Sequence, residues 1–152
     1  RNPHPMTARF HLQPLLDLAN TRTDEAARKL GELVAAERDV EQKLKMLEDY
    51  RQEYNERFVQ AARDGLSPDA WRNYSAFINK LDDAIGVQRK VVEQSRAKTV
   101  EGQQAWLAQR TKLQAFDTLS QRHQQVVNRQ EARQEQKQSD EHAARRARGE
   151  DL

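Results

Sequence analysis

The chain contains no cysteine, which removes disulfides, thiol nucleophiles and cysteine-built zinc sites. Aromatic residues make up only 6% of its 152 residues and apolar residues 36%. That is thin material for a rounded core, since a globular domain of this size buries about two-thirds of its unfolded surface. No apolar run approaches the roughly 20 residues that cross a bilayer. No secretory apolar segment is present either, so a cytoplasmic location is the expectation. Charge of one sign is not in excess: 26 basic residues stand against 24 acidic ones, interspersed along the chain. A nucleic-acid binder usually gathers its cations on one face, so none is expected as a partner. Residues 1–5, Arg1-Asn2-Pro3-His4-Pro5, read as a cloning remnant, with Met6 as the native start.

What the chain does have is charge and period. A third of its residues are charged and its mean hydropathy is strongly negative, a composition that fits a helical rod or a disordered chain. A seven-residue frame decides for the rod. Its a positions are Leu16, Thr23, Leu30, Glu37, Leu44, Arg51 and Phe58; its d positions are Ala19, Ala26, Leu33, Val40, Leu47, Tyr54 and Ala61. The remaining positions are mostly polar, so one narrow seam is to be buried.

The seam stops at Asp64-Gly65-Leu66-Ser67-Pro68-Asp69. Gly65 suits a helix C-cap, Ser67 an N-cap and Pro68 a first helical turn. Asp69 complements the positive end of the helix that follows. The frame then resumes with Trp71, Ile78, Ile85, Val92, Thr99, Trp106, Leu113, Ser120 and Val127 at a. Its d positions begin with Tyr74 and Leu81 but continue as Gln88, Ser95, Gly102 and Gln109 before Phe116. The fold class is therefore all-α, a long antiparallel two-helix coiled coil whose second helix extends beyond the first. The spacing predicts helix one over 10–63, a turn over 64–68, helix two over 69–140 and a disordered tail over 141–152. The register brings Trp71 to Phe58, Ile85 to Leu44 and Trp106 to Thr23 and Ala26. The polar d positions predict looser packing in the middle, and the paired body should be about 70 Å long. The stretch from Asp117 holds seven acidic and seven basic residues and almost no seam, so its helix should fray.

Catalytic chemistry has no visible seat. There is no glycine-rich phosphate loop or nucleophile elbow, and a two-helix rod has no interior from which to exclude water. His11, His123 and His142 lack partners at metal spacing and read as solvated. We expect no enzymatic activity, no cofactor and no metal. One surface feature rises above this background: six of the nine aromatics lie between Tyr50 and Phe77. In an antiparallel pair the two g positions share one side and the two e positions the other. Near the turn the g side carries Lys43, Tyr50, Phe77 and Ala84, while the e side carries Glu41, Glu48 and Asn55 opposite Ser75, Asp82 and Arg89. The g side either widens the core or forms a docking strip, for which exposed aromatics are suited.

The same residues resemble the flagellar FliJ family. The resemblance lies in Ala26-Ala27-Arg28-Lys29-Leu30-Gly31-Glu32, in Gln42 to Tyr50 with Glu53-Tyr54, and in Trp71-Arg72-Asn73-Tyr74-Ser75-Ala76-Phe77-Ile78. Lys112 to Phe116 and Asp140-Glu141-His142-Ala143 extend it, collinear from Met6 to Arg148. It implies a component of the flagellar type III export apparatus, folded like the central stalk of rotary ATP synthases. By the resemblance, the end built from both termini enters the hexameric export ATPase. A surface nearer the turn docks on the membrane export-gate protein, and export chaperones are further partners. The implied gate-docking positions are Leu47, Tyr50, Tyr54, Phe77, Leu81 and Ala84, with Lys43 and Gln88 standing where the family carries other residues. The implied location is the cytoplasmic face of the membrane at the flagellar base. Arg22, Arg28, Arg122, Arg129 and Arg133 read equally well as ATPase contacts and as solvated charges, and are not assigned. The stalk of a virulence injectisome and a generic coiled-coil scaffold are the competing readings; the turn chemistry argues against the scaffold.

Overall fold

The computed structural model describes residues 9–149. The expected remnant Arg1–Pro5, the start at Met6 and the last tail residues 150–152 lie outside the described residues. Two helices account for nearly all of the rest: α1, Gln13–Asp64, and α2, Pro68–Ala147. They pack against one another, and no strand occurs among the described residues.

Helix α1 begins three residues later than the spacing suggested, because Phe10 is used otherwise. Its carbonyl accepts the Gln13 N–H at 3.1 Å, and its ring is buried 5.6 Å from that of His123. His123 is accordingly half-buried rather than solvated; it occupies the d position one heptad beyond Phe116. His11 and His142 are exposed.

The turn forms as its residue types dictate. Gly65 takes φ of +100°, a conformation that costs glycine little and an L side chain much. The Ser67 hydroxyl accepts the Ala70 N–H at 3.1 Å, closing the first turn of α2 over Pro68. Asp69 sits in that turn and Arg63 in the last turn of α1, each favourable to its helix dipole.

By backbone contact the chain divides into two compact units. Among the described residues, one joins 9–24 with 108–149, and the other is Glu25–Leu107. In the first, Phe10, Leu16, Ala19 and Val127 are buried. After Val127 every described residue is exposed, yet the helix runs to Ala147 rather than stopping near 140. Strong helix formers and side-chain bonds one turn apart, such as Gln136 to Asp140 at 2.9 Å, favour that continuation.

In Glu25–Leu107 the a and d positions are buried or half-buried, apart from Trp71, which is 52% exposed. Trp71 lies in the first turn of α2, where Phe58, at 5.0 Å, is its ring partner and no further layer covers it. The expectation of loose packing in the middle is corrected here. Gln88 donates to the Val40 carbonyl at 2.9 Å, and Thr99 Oγ1 lies 3.4 Å from the Leu33 carbonyl. At Gly102 the helices come close enough that a Cβ would lie 2.6 Å from Leu33 Cδ1. Polar groups that reach across, and an absent side chain, bring the backbones together where large apolar residues are missing.

Candidate docking surface

The unit Glu25–Leu107 has two unlike flanks. On the e side, charges on the two helices pair. Glu48 accepts from Arg89 at 3.1 Å, and Glu41 lies 3.5 Å from Arg96. Asp82 accepts from Arg51 Nε at 2.7 Å and lies 3.5 Å from its Nη2. The Arg51 hydrogen bond holds the Asp82 carboxyl below its usual value, against desolvation and with smaller help from the charges of Arg51 and Arg89. The same bond raises the Arg51 guanidinium. This flank spends its charges on the hairpin itself.

The g side is different. Tyr50 and Phe77 meet edge to face at 6.0 Å, and Tyr54 stands 4.5 Å from Phe77 and 5.3 Å from Tyr74. Tyr74 in turn contacts Phe58 at 5.4 Å. The ladder leaves Tyr50 42% exposed, while Tyr54, Phe58, Tyr74 and Phe77 are half-buried. Rigid, half-exposed aromatics bury large area on binding at little entropic cost. Of the two readings left open by the sequence, the exposure of Tyr50 fits an outward surface and the half-burial of Phe77 a wider core.

The structure brings the eight expected docking residues together but on two levels. Lys43, Tyr50 and Ala84 are exposed, with Phe77, Leu47 and Tyr54 half-buried at their edge. Leu81 and Gln88 are buried, at 7% and 6% exposure. They support the surface from within the seam; Gln88 is already engaged with Val40. Trp71, expected in the seam against Phe58, does meet that ring at 5.0 Å but remains 52% exposed. Its place in the first helical turn, with nothing beyond it, is the signal that marks it as outward.

Among the described residues no three His, Asp or Glu side chains cluster as metal ligands. No described helix is long and apolar enough to cross a membrane.

The chain is similar to known proteins along most of its length. The family model described as "Flagellar FliJ protein" matches residues 8–151. A flagellar FliJ protein of Salmonella typhi is 36% identical over 136 residues, covering 90% of this chain and 92% of its own. The corresponding protein of Escherichia coli K12 is 35% identical over the same extent. With a match this long and this collinear, the chain belongs to the flagellar FliJ family.

Proposed function

We propose that this protein is a non-enzymatic component of the flagellar type III export apparatus, a stalk that couples an ATPase ring to a membrane gate. The end formed by the two termini enters the hexameric export ATPase and promotes its assembly and activity. The aromatic flank docks on the cytoplasmic part of the export-gate protein, and export chaperones are further partners. The protein works at the cytoplasmic face of the membrane, held there peripherally by these contacts.

The observation that carries the reading is the inequality of the flanks. One closes its charges into interhelical pairs, while the other leaves Tyr50 exposed beside a half-buried Phe77. The contacts of Tyr50 with Tyr54 and Phe77 serve the hairpin, but they do not require so much of the ring to meet solvent. The test is calorimetric titration of the gate protein's cytoplasmic part with wild type and with Tyr50→Ala/Phe77→Ala. Binding should weaken by at least about thirtyfold, the scale of an aromatic hot spot, with helicity retained. Unchanged binding by the helical double variant would remove the docking surface from the account.

A further inference from the structure

The flank that bears Tyr50 and Phe77 has a second property, visible once the register is known. On the e side, Glu48 meets Arg89 and Glu41 meets Arg96. One heptad back along α1 is thus matched by one heptad forward along α2. The same step on the g side, starting from Tyr50 against Phe77, sets Lys43 across from Ala84, Ala36 across from Val91, and Lys29 across from Lys98. From Glu25 to Leu107 the g positions carry four cations, Lys29, Lys43, Arg57 and Lys98, against a single carboxylate, Asp64, the last residue of α1 at the turn. All four are exposed, and none enters an ion pair among the described residues. Like charges facing across a helix pair oppose pairing slightly. Hairpin stability therefore does not explain them.

We propose that this flank receives an acidic polypeptide segment laid along the hairpin. Its apolar side chains cover Tyr50, Phe77 and Val91, and its carboxylates meet Lys43 and the Lys29–Lys98 pair. The inference rests on the docking reading above and deepens it, by naming the charge of the partner. A nucleic acid fits less well. Lys29, Lys43 and Arg57 follow one another at intervals of two heptads, about 21 Å of helix, so a uniform phosphate chain would leave most of its charges unmatched. Apolar surface lies between the cations, and a phosphate backbone has no use for it. A polypeptide can set acids and apolar residues to that spacing, and an apolar centre with a polar rim is the usual build of a protein interface.

The test measures binding of the full chain to two probes at low and physiological salt. One is the cytoplasmic part of the gate protein. The other is a synthetic amphipathic helix with Leu on one face and Glu elsewhere. Single-stranded RNA and anionic-lipid vesicles serve as comparators. Lys29→Glu/Lys98→Glu should weaken both probes about tenfold at low salt and flatten the salt dependence. Lys90→Glu, an exposed change off the flank, should leave binding as it is. Lys98→Glu alone should raise thermal stability, by offering Lys29 a partner as Glu48 does Arg89, and still weaken both probes. Equal binding by the double reversal, or preference of the wild type for RNA or vesicles over the acidic helix, would overturn the inference. Binding to the gate protein without dependence on Lys29 and Lys98 would sink this inference and leave the docking surface standing. Binding to the acidic helix but not to the gate protein would do the reverse.

Discussion

Leu81 and Tyr50 are neighbours in the expected docking patch, but they should fail in opposite ways when truncated. Leu81 is 7% exposed, in the seam between α1 and α2. Burying a leucine side chain contributes about 1.5–3 kcal/mol, and truncation adds the cost of whatever cavity remains. A two-helix seam is open along both flanks, so neighbouring side chains can close on the gap. Leu81→Ala should therefore cost about 2–3 kcal/mol, toward the lower end of core truncations. Tyr50 is 42% exposed, with ring contacts to Phe77 at 6.0 Å and Tyr54 at 6.3 Å. Losing two edge contacts costs about 1–2 kcal/mol, and alanine's helix propensity returns about half a kcal/mol of it. Tyr50→Ala should cost about 1 kcal/mol of stability while removing about 2 kcal/mol of docking energy. Urea titration followed by far-UV circular dichroism gives the stabilities, and calorimetry with the gate protein's cytoplasmic part gives the affinities. The orders should cross: Leu81→Ala hurts folding more, Tyr50→Ala hurts binding more. If Leu81→Ala weakened binding with its unfolding midpoint unmoved, Leu81 would be a contact residue and its burial here misread.

Three further outcomes are expected. Gly102→Leu should destabilise by about 1–3 kcal/mol through overpacking, because a side chain there meets Leu33 and then the Leu30 backbone; an unfolding midpoint equal to wild type would contradict the close approach. Asp82→Asn should lower the thermal midpoint at neutral pH. The Asp82 carboxylate is stabilised in the folded state, so its contribution is present above the ordinary carboxylate pKa of about 3.9 and disappears as the pH falls through the lower folded value. A gap between wild type and variant that persists in strong acid would refute the pair. Truncation after Val127, the last buried residue, should keep the remaining helicity while reducing stimulation of the export ATPase; full stimulation by the shortened chain would take the exposed run of α2 out of the stalk.

Much of the fold was legible because its determinants are local or periodic. Gly65, Ser67 and Pro68 specify the turn by their own backbone and capping chemistry, and the a and d positions mark the seam before any partner is known. What stayed hidden depends on the register between helices. Gln88 and Thr99 read as weaknesses in the frame until Val40 and Leu33 are seen to offer their carbonyls. Gly102 read as a gap until Leu33 was found occupying it. Phe10, outside any heptad, was unreadable as a buried residue because its partner His123 lies more than a hundred residues away. Of the expected docking positions, the g residues emerged from the sequence as a flank, while the burial of Leu81 and Gln88 required the packed pair.

The central claim is that one flank of the hairpin faces a partner and the other faces water. A photo-crosslinking residue placed singly at Lys43 and Ala84, and in turn at Glu48 and Asp82 on the opposite flank, tests it most directly. With the assembled export apparatus, the account expects adducts to the gate protein from positions 43 and 84 and none from 48 and 82. Equal adducts from both flanks, or adducts from the ion-paired side alone, would contradict it.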